Sequence, residues 1–250
     1  MATQSVVTAI RCLECIAEHG NIGLSELARN TGLSKATLLR ALATLEELRW
    51  VQQSAPPLST WSLTVHAHRV TSQGQVGSTL REAAMAQLNG LQLDTGETIH
   101  LCQPDGEVLV VTERLDSSHA LRAFLALGTR IPLHASGTGL AYLSAQKEDW
   151  VRRYLDGPLE RRTRLSLAEP TEVWAELAAI RARGYSVNEE GLSPGITSLG
   201  APVRDAAGEA VAAISISGPT SRITPARFED YGTAVRECAG RISAALGYRG

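Results

Sequence analysis

The chain has 250 residues, of which 44% are hydrophobic and 20% charged, and a formal net charge of −2; this suits a globular protein of one large or two modest domains. Four cysteines without a disulfide framework fit a reducing cytoplasm, no run approaches the ~18 apolar residues of a membrane span, and the start lacks a signal peptide's basic segment. Charge is nearly balanced along the chain, about +1 over residues 1–70 and about −3 over the rest, so any case for nucleic acid rests on motif and not on bulk attraction.

From the start, Ser5–His19 has helical periodicity, with Val6, Ile10, Leu13 and Ile16–Ala17 on one stripe and Gly20 as a stop. Ser25 is placed to cap a short helix over residues 26–30, and Ser34 a third helix reaching about Arg49. Short strands are predicted at 50–53 and 60–63, around a loop in which Pro56–Pro57 offers no ladder donor. A polar helical connector follows over 64–73, softened by Gly74 and Gly77, then a helix over 78–93. Beyond it, strands are predicted at 97–103, 108–115 and 121–126, and helices at 136–146, 147–155 and 172–183. Strands return at 185–189, 196–203 and 210–217, with a last helix over 225–246. The expected architecture is α+β. A winged helix-turn-helix occupies residues 1–64, a connector helix 65–78, and a domain with a mixed or antiparallel sheet flanked by helices 79–250.

The sharpest constellation is Ala28, Gly32 and Leu38. Where two helices of a helix-turn-helix cross, a small residue is needed, and Ala28 supplies it. Four residues on, the turn calls for positive φ and Gly32 fits; six further, Leu38 closes the angle. The N-terminal part of the third helix then presents Ser34, Lys35, Thr37, Leu38 and Arg40 as candidates for double-stranded DNA, since that part of a recognition helix meets base edges and phosphates. The wing tip, Ser54–Ser59, has neither Lys nor Arg, so no strong phosphate contact is expected there. A plain helical bundle is the competing reading, and it leaves the three matched positions and the wing to chance.

With these motifs the sequence resembles the IclR family of bacterial transcription regulators over nearly its whole length. The resemblance is carried by Leu24-Ser25-Glu26-Leu27-Ala28, Thr31-Gly32-Leu33-Ser34-Lys35 and Ala43-Thr44-Leu45-Glu46-Glu47-Leu48. It continues in Thr95-Gly96-Glu97-Thr98-Ile99-His100-Leu101, in residues 128–137, 180–185 and 200–203, and in Ala213-Ile214-Ser215-Ile216-Ser217-Gly218-Pro219. It implies a GAF-like effector domain, a homodimer formed through the DNA-binding half, often a dimer-of-dimers tetramer, and repression or activation of an operator in answer to a small organic or aromatic acid. The chain departs from the family's pattern at Thr60-Trp61-Ser62-Leu63, where a basic residue and a tyrosine are usual, at Asn188, where an acid is frequent, and at Ser198, where cysteine is frequent.

Family pocket positions fall on Gly137, Thr138, Asn188, Ser198, Ser215 and Ser217. Local chemistry agrees with several of them. Ser215 and Ser217 are two apart in an apolar strand and share a face; buried hydroxyls need partners. Ser136-Gly137-Thr138-Gly139 opens a helix, whose first N–H groups attract a carboxylate, and Phe124 with the strand around it would supply an apolar wall. No basic side chain is expected in the pocket. No cofactor or metal is expected: none of the six histidines falls in a metalloprotease spacing, and Cys12 and Cys15 form a CxxC inside a helix without a second pair. A metabolite-binding enzyme and a scaffold without operator binding are the rival classes; turnover of a bound metabolite would mark the first, and absence of an operator footprint the second.

Overall fold

The computed structural model describes residues 2–72 and 78–250. The chain divides into two compact units, Met1–Ser78 and Thr79–Gly250, each taken by itself below. The expected softening at Gly74 and Gly77 lies outside the described residues.

The first unit is built from α1 (Gln4–His19), β1 (Ile22–Gly23), α2 (Leu24–Thr31), α3 (Lys35–Glu47), β2 (Val51–Gln53), β3 (Thr60–Leu63) and α4 (Val65–Ser72). Its core joins Cys12, Cys15 and Ile16 of α1 to Leu27, Leu38, Leu42, Leu45, Val51 and Trp61. The buried residues of α1 are Thr8, Cys12, Cys15 and Ile16; of the expected stripe, Ile16 is buried and Leu13 packs half-buried on this core, whereas Val6 and Ile10 are 55% and 50% exposed. The helix carries two apolar faces, and only one is used within the unit. Helix α2 begins two residues earlier than expected, with Gly23 at its N-cap, so Ser25 lies inside the first turn. Gly32 ends it at φ 69°, its N–H bonded to the Ala28 carbonyl, a conformation that costs a residue with a Cβ about 1–2 kcal/mol. β1, too short to show in the sequence, pairs with β3, giving a three-stranded antiparallel sheet in the order β1-β3-β2.

The second unit contains α5 (Ser78–Thr95), β4 (Thr98–Asp105), β5 (Val108–Leu115), β6 (Arg130–Pro132), α6 (Gly137–Ser144), α7 (Glu148–Leu155), α8 (Pro170–Arg183), β7 (Ser186–Glu189), β8 (Ile196–Arg204), β9 (Ala210–Pro219) and α9 (Phe228–Ala245). The six strands run in the order β6-β5-β4-β9-β8-β7, and every neighbouring pair is antiparallel, so the mixed alternative drops out in favour of a GAF-like antiparallel sheet. Strand alternation divides its side chains cleanly. Ile99, Leu101, Leu199, Ile214 and Ile216 go to one face, against Ala84 and Leu88 of α5 and against Val235 and Ile242 of α9.

Cys102, Leu109, Val111 and Ala213 go to the other face, under Leu140 of α6, Val151 of α7 and Leu177 of α8. One expectation fails here. Residues 121–126 form no strand: Arg114 and Thr98 hold this stretch by bonding its carbonyls of Leu125 and Ala123, in place of a ladder. The strand beside β5 is instead β6, through Leu109↔Ile131.

Candidate functional site

On α3 the Ser34 hydroxyl caps the helix by accepting the Thr37 N–H at 3.2 Å, and it also lies 2.9 Å from the Thr37 hydroxyl. A cap of this kind fixes where the first turn starts, and hence which side chains lead. Lys35 and Arg40 are exposed, Thr37 is half-buried, and among the described residues neither cation forms an ion pair. Leu38 is a correction. It is fully buried with Leu27 and Ile16, so it holds the two helices of the motif together and presents nothing outward; its place one residue after Thr37 turns it about 100° round the helix, into the core. Exposed Leu39, which sequence reasoning passed over, stands beside Arg40 on the outer face. Trp61, in the departure from the family's wing, is buried in the core and is no wing contact. Burial raises the thiol pKa of Cys12 and Cys15, which fits packing in place of redox or metal chemistry.

In the second unit, strand register assembles a polar patch on the sheet face that carries α6. Asn188 pairs with Ser198, Ser198 with Ser217, and Ser217 with Thr98. One rung along, Ser186 pairs with Gly200, Gly200 with Ser215, Ser215 with His100, and His100 with Arg114. The first row of polar side chains thus crosses four strands, and the second, interrupted at Gly200, crosses five. A cavity of about 40 Å³ opens on them, lined by His100, Asn188, Ser198 and Ser217 with Phe124 and Leu192. Four of the seven expected effector residues therefore meet there. Ser215 lies just beneath, its Oγ 3.2 Å from that of Ser217.

Gly137 and Thr138 do not line the cavity. A Cβ on Gly137 would fall 2.5 Å from the Ser198 Oγ, and one on Gly139 2.3 Å from the Leu133 carbonyl oxygen. Gly137 lets α6 lie directly on β8, and Gly139 lets it close against the segment that leads into it. Thr138 faces the buried Cys102 thiol, whose pKa burial pushes up to about 12. At the helix start Ser136 Oγ accepts the Gly139 N–H at 3.0 Å. The first turn of α6 lies outside the cavity lining, so the carboxylate cradle expected there is not part of this cavity.

Sequence reasoning also missed two groups. His100 is buried, and its Nε2 has no hydrogen-bond partner. Burial, and secondarily the Arg114 charge, lowers its pKa to about 4, so the imidazole is neutral at pH 7. Arg114 stands on the next strand, ion-paired to Asp116 at 2.8 Å, with its guanidinium 4.1 Å over the Phe124 ring. A basic side chain does adjoin the pocket, against expectation. The alternation Thr98–His100–Cys102 puts His100 on one face of β4, and the pairing of β4 with β9 makes that the face of Ser215 and Ser217.

Over the patch, the irregular segment after β5 forms a roof. Thr98 Oγ1 donates to the Ala123 carbonyl at 3.1 Å, Arg114 to that of Leu125 at 2.9 Å, and Arg222 to that of Leu121 at 2.8 Å. Arg222 also grips Glu97, which is 2% exposed, through two bonds of 2.6 and 2.7 Å. Phe124 itself is 61% exposed: it lines the cavity from an irregular segment and not from the strand expected.

A helix-turn-helix with a short wing, joined in one chain to an antiparallel α+β unit with a polar cavity, defines a transcription regulator of the ligand-responsive class. The family model described as the IclR helix-turn-helix domain matches residues 5–55, and that described as the bacterial transcriptional regulator IclR C-terminal domain matches residues 75–244. The chain belongs to the IclR family. It is similar to the transcriptional repressor IclR of Escherichia coli (strain K12), with 34% identity over 98% of this chain and 90% of that protein. Among solved structures it is similar to the IclR of Thermotoga maritima, with a TM-score of 0.83 and 27% identity over 98% of this chain and 99% of that one. An IclR homologue from Microbacterium hydrocarbonoxydans, solved in complex with 4-hydroxybenzoate, shares the fold with a TM-score of 0.84 at 21% identity, over 97% of this chain and 98% of that one.

Proposed function

We propose that this regulator reads its operator through Ser34, Lys35, Thr37 and Arg40 of α3. The observation that carries the reading is the pair of exposed, unpaired cations on a capped helix whose inner face is locked by Leu38. Exposed Leu39 is suited to the methyl group of a thymine. Replacing Arg40 with alanine should weaken operator binding by about 1–3 kcal/mol if the side chain reads a base. Contact with a phosphate would instead lower affinity for all sequences alike and reduce the salt slope by about 1. Fluorescence anisotropy on duplexes selected by this protein from a random pool is the measurement; wild-type affinity in Arg40→Ala, Lys35→Ala and the double variant would defeat the assignment.

The working unit in this reading is a homodimer, with a tetramer of two dimers as its further assembly. One recognition helix covers one half-site, and two-fold pairing supplies the second. The second apolar face of α1, with Val6 and Ile10, supports this, as does a hollow of about 600 Å³ lined by Leu13, Trp50, Leu63 and Val65 in the first unit. Val65 is 84% exposed, which is costly for a monomer in water. Light scattering at micromolar concentration tests it, and a monomer with and without operator would overturn it.

The second unit acts as the sensor: a small organic acid enters the cavity at Asn188, Ser198 and Ser217 and shifts operator affinity. The 4-hydroxybenzoate of the Microbacterium homologue supports a carboxylic acid as the ligand type. Coupling of about 1–3 kcal/mol is expected, and operator must change acid affinity by the same factor. The protein works in the cytoplasm as a regulator and not as an enzyme; among the described residues no helix is long and apolar enough to cross a membrane.

A further inference from the structure

A cavity of about 40 Å³ is little larger than the ~30 Å³ share of one water, so a larger molecule enters it only when a wall moves. Two irregular segments wall it, the roof at 121–125 and a loop at 190–195 that brings Leu192 and Ser193 to the lining. They are held differently. Besides Thr98, the roof hangs on two charged donors, Arg114 and Arg222, and Arg222 is fixed in turn to the buried Glu97. The loop is held by two neutral hydroxyls from residues 157–167, the irregular stretch between α7 and α8. Ser166 Oγ donates to the Gly191 carbonyl at 2.6 Å, and Thr163 Oγ1 to that of Glu190 at 2.8 Å. A hydrogen bond with an ionised partner is roughly twice as strong as a neutral one, so the loop is the wall that yields first.

The stretch that holds the loop is itself anchored. Ser166 Oγ accepts the N–H groups of Arg162 and Thr163 at 2.9 and 2.8 Å. The buried His134 bridges this stretch to α7, its Nε2 3.0 Å from the Glu160 carbonyl oxygen and its Nδ1 2.6 Å from the Tyr154 hydroxyl. A carbonyl only accepts, so Nε2 carries the proton and Nδ1 accepts from Tyr154. This frame stays in place when the two hydroxyl bonds to the loop open.

Against the loop stands Asn188 of β7, the last strand of the sheet. A Cβ on Gly191 would fall 2.5 Å from its amide nitrogen. Asn188 is 5% exposed, yet its amide forms no hydrogen bond among the described residues, which is uncommon for a buried polar group. It also lines two spaces at once: the sensor cavity with Ser198 and Ser217, and a hollow of about 410 Å³ with Leu165, Leu167, Glu176, Val187 and Glu189. Leu165 and Glu189 are exposed, so the hollow reaches solvent.

We infer that this hollow is the entrance to the sensor cavity and that Asn188 is its gate. A ligand passes from Leu165 and Leu167 to Ser198 and Ser217 when the loop leaves Ser166 and Thr163 and the unbonded amide swings aside. The inference rests on the reading of the second unit as the sensor and adds the route to it. That route has a charge of its own. Glu176 is paired with Arg183, but Glu189 forms no ion pair among the described residues; a way through the roof would pass the Arg114 cation over Phe124 instead.

The test sets a thiol at the inner end of the route, in the full-length protein. Ser198→Cys is alkylated with neutral iodoacetamide and with anionic iodoacetate at low ionic strength, and the rate at each cysteine is read by mass spectrometry. Ser217→Cys repeats the measurement from the next strand. The native Cys102 and Cys238 are buried and report wider unfolding. Adding Ser166→Ala with Thr163→Val should speed iodoacetamide at position 198 by about tenfold or more, the weight of two neutral hydrogen bonds, with Cys102 and Cys238 unchanged. Asn188→Ala, which removes the gate, should act in the same direction, and Ser166→Ala alone should exceed Thr98→Val in the roof. Glu189→Gln should speed iodoacetate by about twofold and leave iodoacetamide as it was. An unchanged rate at position 198 in the loop and gate variants would overturn the inference. Equal acceleration at Cys102 and Cys238 would mark Ser166 and Thr163 as structural and overturn it too. A larger effect of Thr98→Val would move the entrance to the roof, and an iodoacetate rate indifferent to Glu189→Gln would take it away from the hollow. If the route holds, yet filling the cavity by alkylation leaves affinity for the selected operator unchanged, the sensor reading fails alone.

Discussion

Lys35 and Arg40 on α3 stand exposed to water, whereas His100, Ser215 and Ser217 on the sheet are buried. The exposed cations cost folding almost nothing, and their attraction for a phosphate is screened by salt over about 8–10 Å. The buried groups have already lost water. Each imposes a cost on the fold that a partner must offset, and in return each rejects partners with the wrong hydrogen-bonding group far more strongly than an exposed side chain can. The first region is built to be displaced from solvent on contact with a large polyanion, the second to discriminate among molecules of a few atoms.

The strongest way to break this comparison is to unpair a buried charge. Arg222→Ala leaves Glu97 2% exposed without its two bonds, and the roof carbonyl of Leu121 without a donor. Breaking a buried pair costs about 3–5 kcal/mol, whereas an exposed change such as Arg40→Ala is expected within about 0.5 kcal/mol of wild-type stability. Urea unfolding of the two variants side by side measures the contrast, and equal losses would remove the distinction between the regions.

Acid should separate them next. The His100 pKa falls from 6.5 to about 4 on folding, so between these values the unfolded chain holds more protons than the native one, and stability rises with pH there. The contribution is fully present above pH 6.5 and is lost as pH drops through about 4, to a total of about 3 kcal/mol at ~1.4 kcal/mol per unit. Arg114 and Asp116 are the charged groups facing the ring. Unfolding of wild type and His100→Leu at about pH 7, 5.5 and 4, spanning the two pKa values, checks the sign: the wild type should lose ground to the variant as pH falls. Parallel curves would show that His100 is not the group responsible.

The two regions also differ in how far the sequence exposes them. Ala28, Gly32 and Leu38 are local, four and six residues apart, and each answers a demand of one turn or one crossing; such a motif is legible without knowing the sheet. The inward stripe of α1 was harder. Val6 and Ile10 obey helical spacing as well as Thr8, Cys12 and Ile16 do, and periodicity does not say which apolar face the unit uses and which it leaves for another partner. In the second unit the strands at 108–115 and 186–189 are readable from alternation, and so is the shared face of Ser215 and Ser217. His100 is set beside them by the pairing of β4 with β9, over a hundred residues away in the chain, and a lone histidine in a strand carries no local sign of it. The segment at 121–126 has strand-like composition, yet its carbonyls are taken by Thr98 and Arg114, which no local pattern reveals.

Close packing of α6 on β8 gives a smaller effect. Gly137→Ala would set a methyl group 2.5 Å from the Ser198 Oγ and 3.0 Å from the Ser198 carbonyl oxygen. Overpacking of this kind costs about 1–3 kcal/mol. Because the backbone oxygen cannot swing away, β8 must shift, and acid binding at Ser198 should weaken along with stability. Thermal unfolding with and without glycolate measures both; a variant of unchanged Tm would show that the helix is looser on the sheet than its glycines indicate.

The smallest effect sharpens the comparison on its exposed side. Ser34 has two roles in this reading, as the cap that accepts the Thr37 N–H and as a DNA-facing group. Two substitutions pull these apart. Ser34→Ala removes the cap and should cost about 1 kcal/mol of stability. Ser34→Asp keeps a capping oxygen and adds a negative charge that favours a helix N-terminus, so its stability should stay within about 0.5 kcal/mol of wild type. The same charge would meet the phosphates of the operator with the wrong sign. If Ser34 faces DNA, Ser34→Asp must therefore bind the selected operator more weakly than Ser34→Ala while being the more stable of the two, and the gap should narrow as salt rises. Should operator affinity instead follow stability across the pair, Ser34 acts only by holding the first turn in place, and the DNA-facing set contracts to Lys35, Thr37 and Arg40.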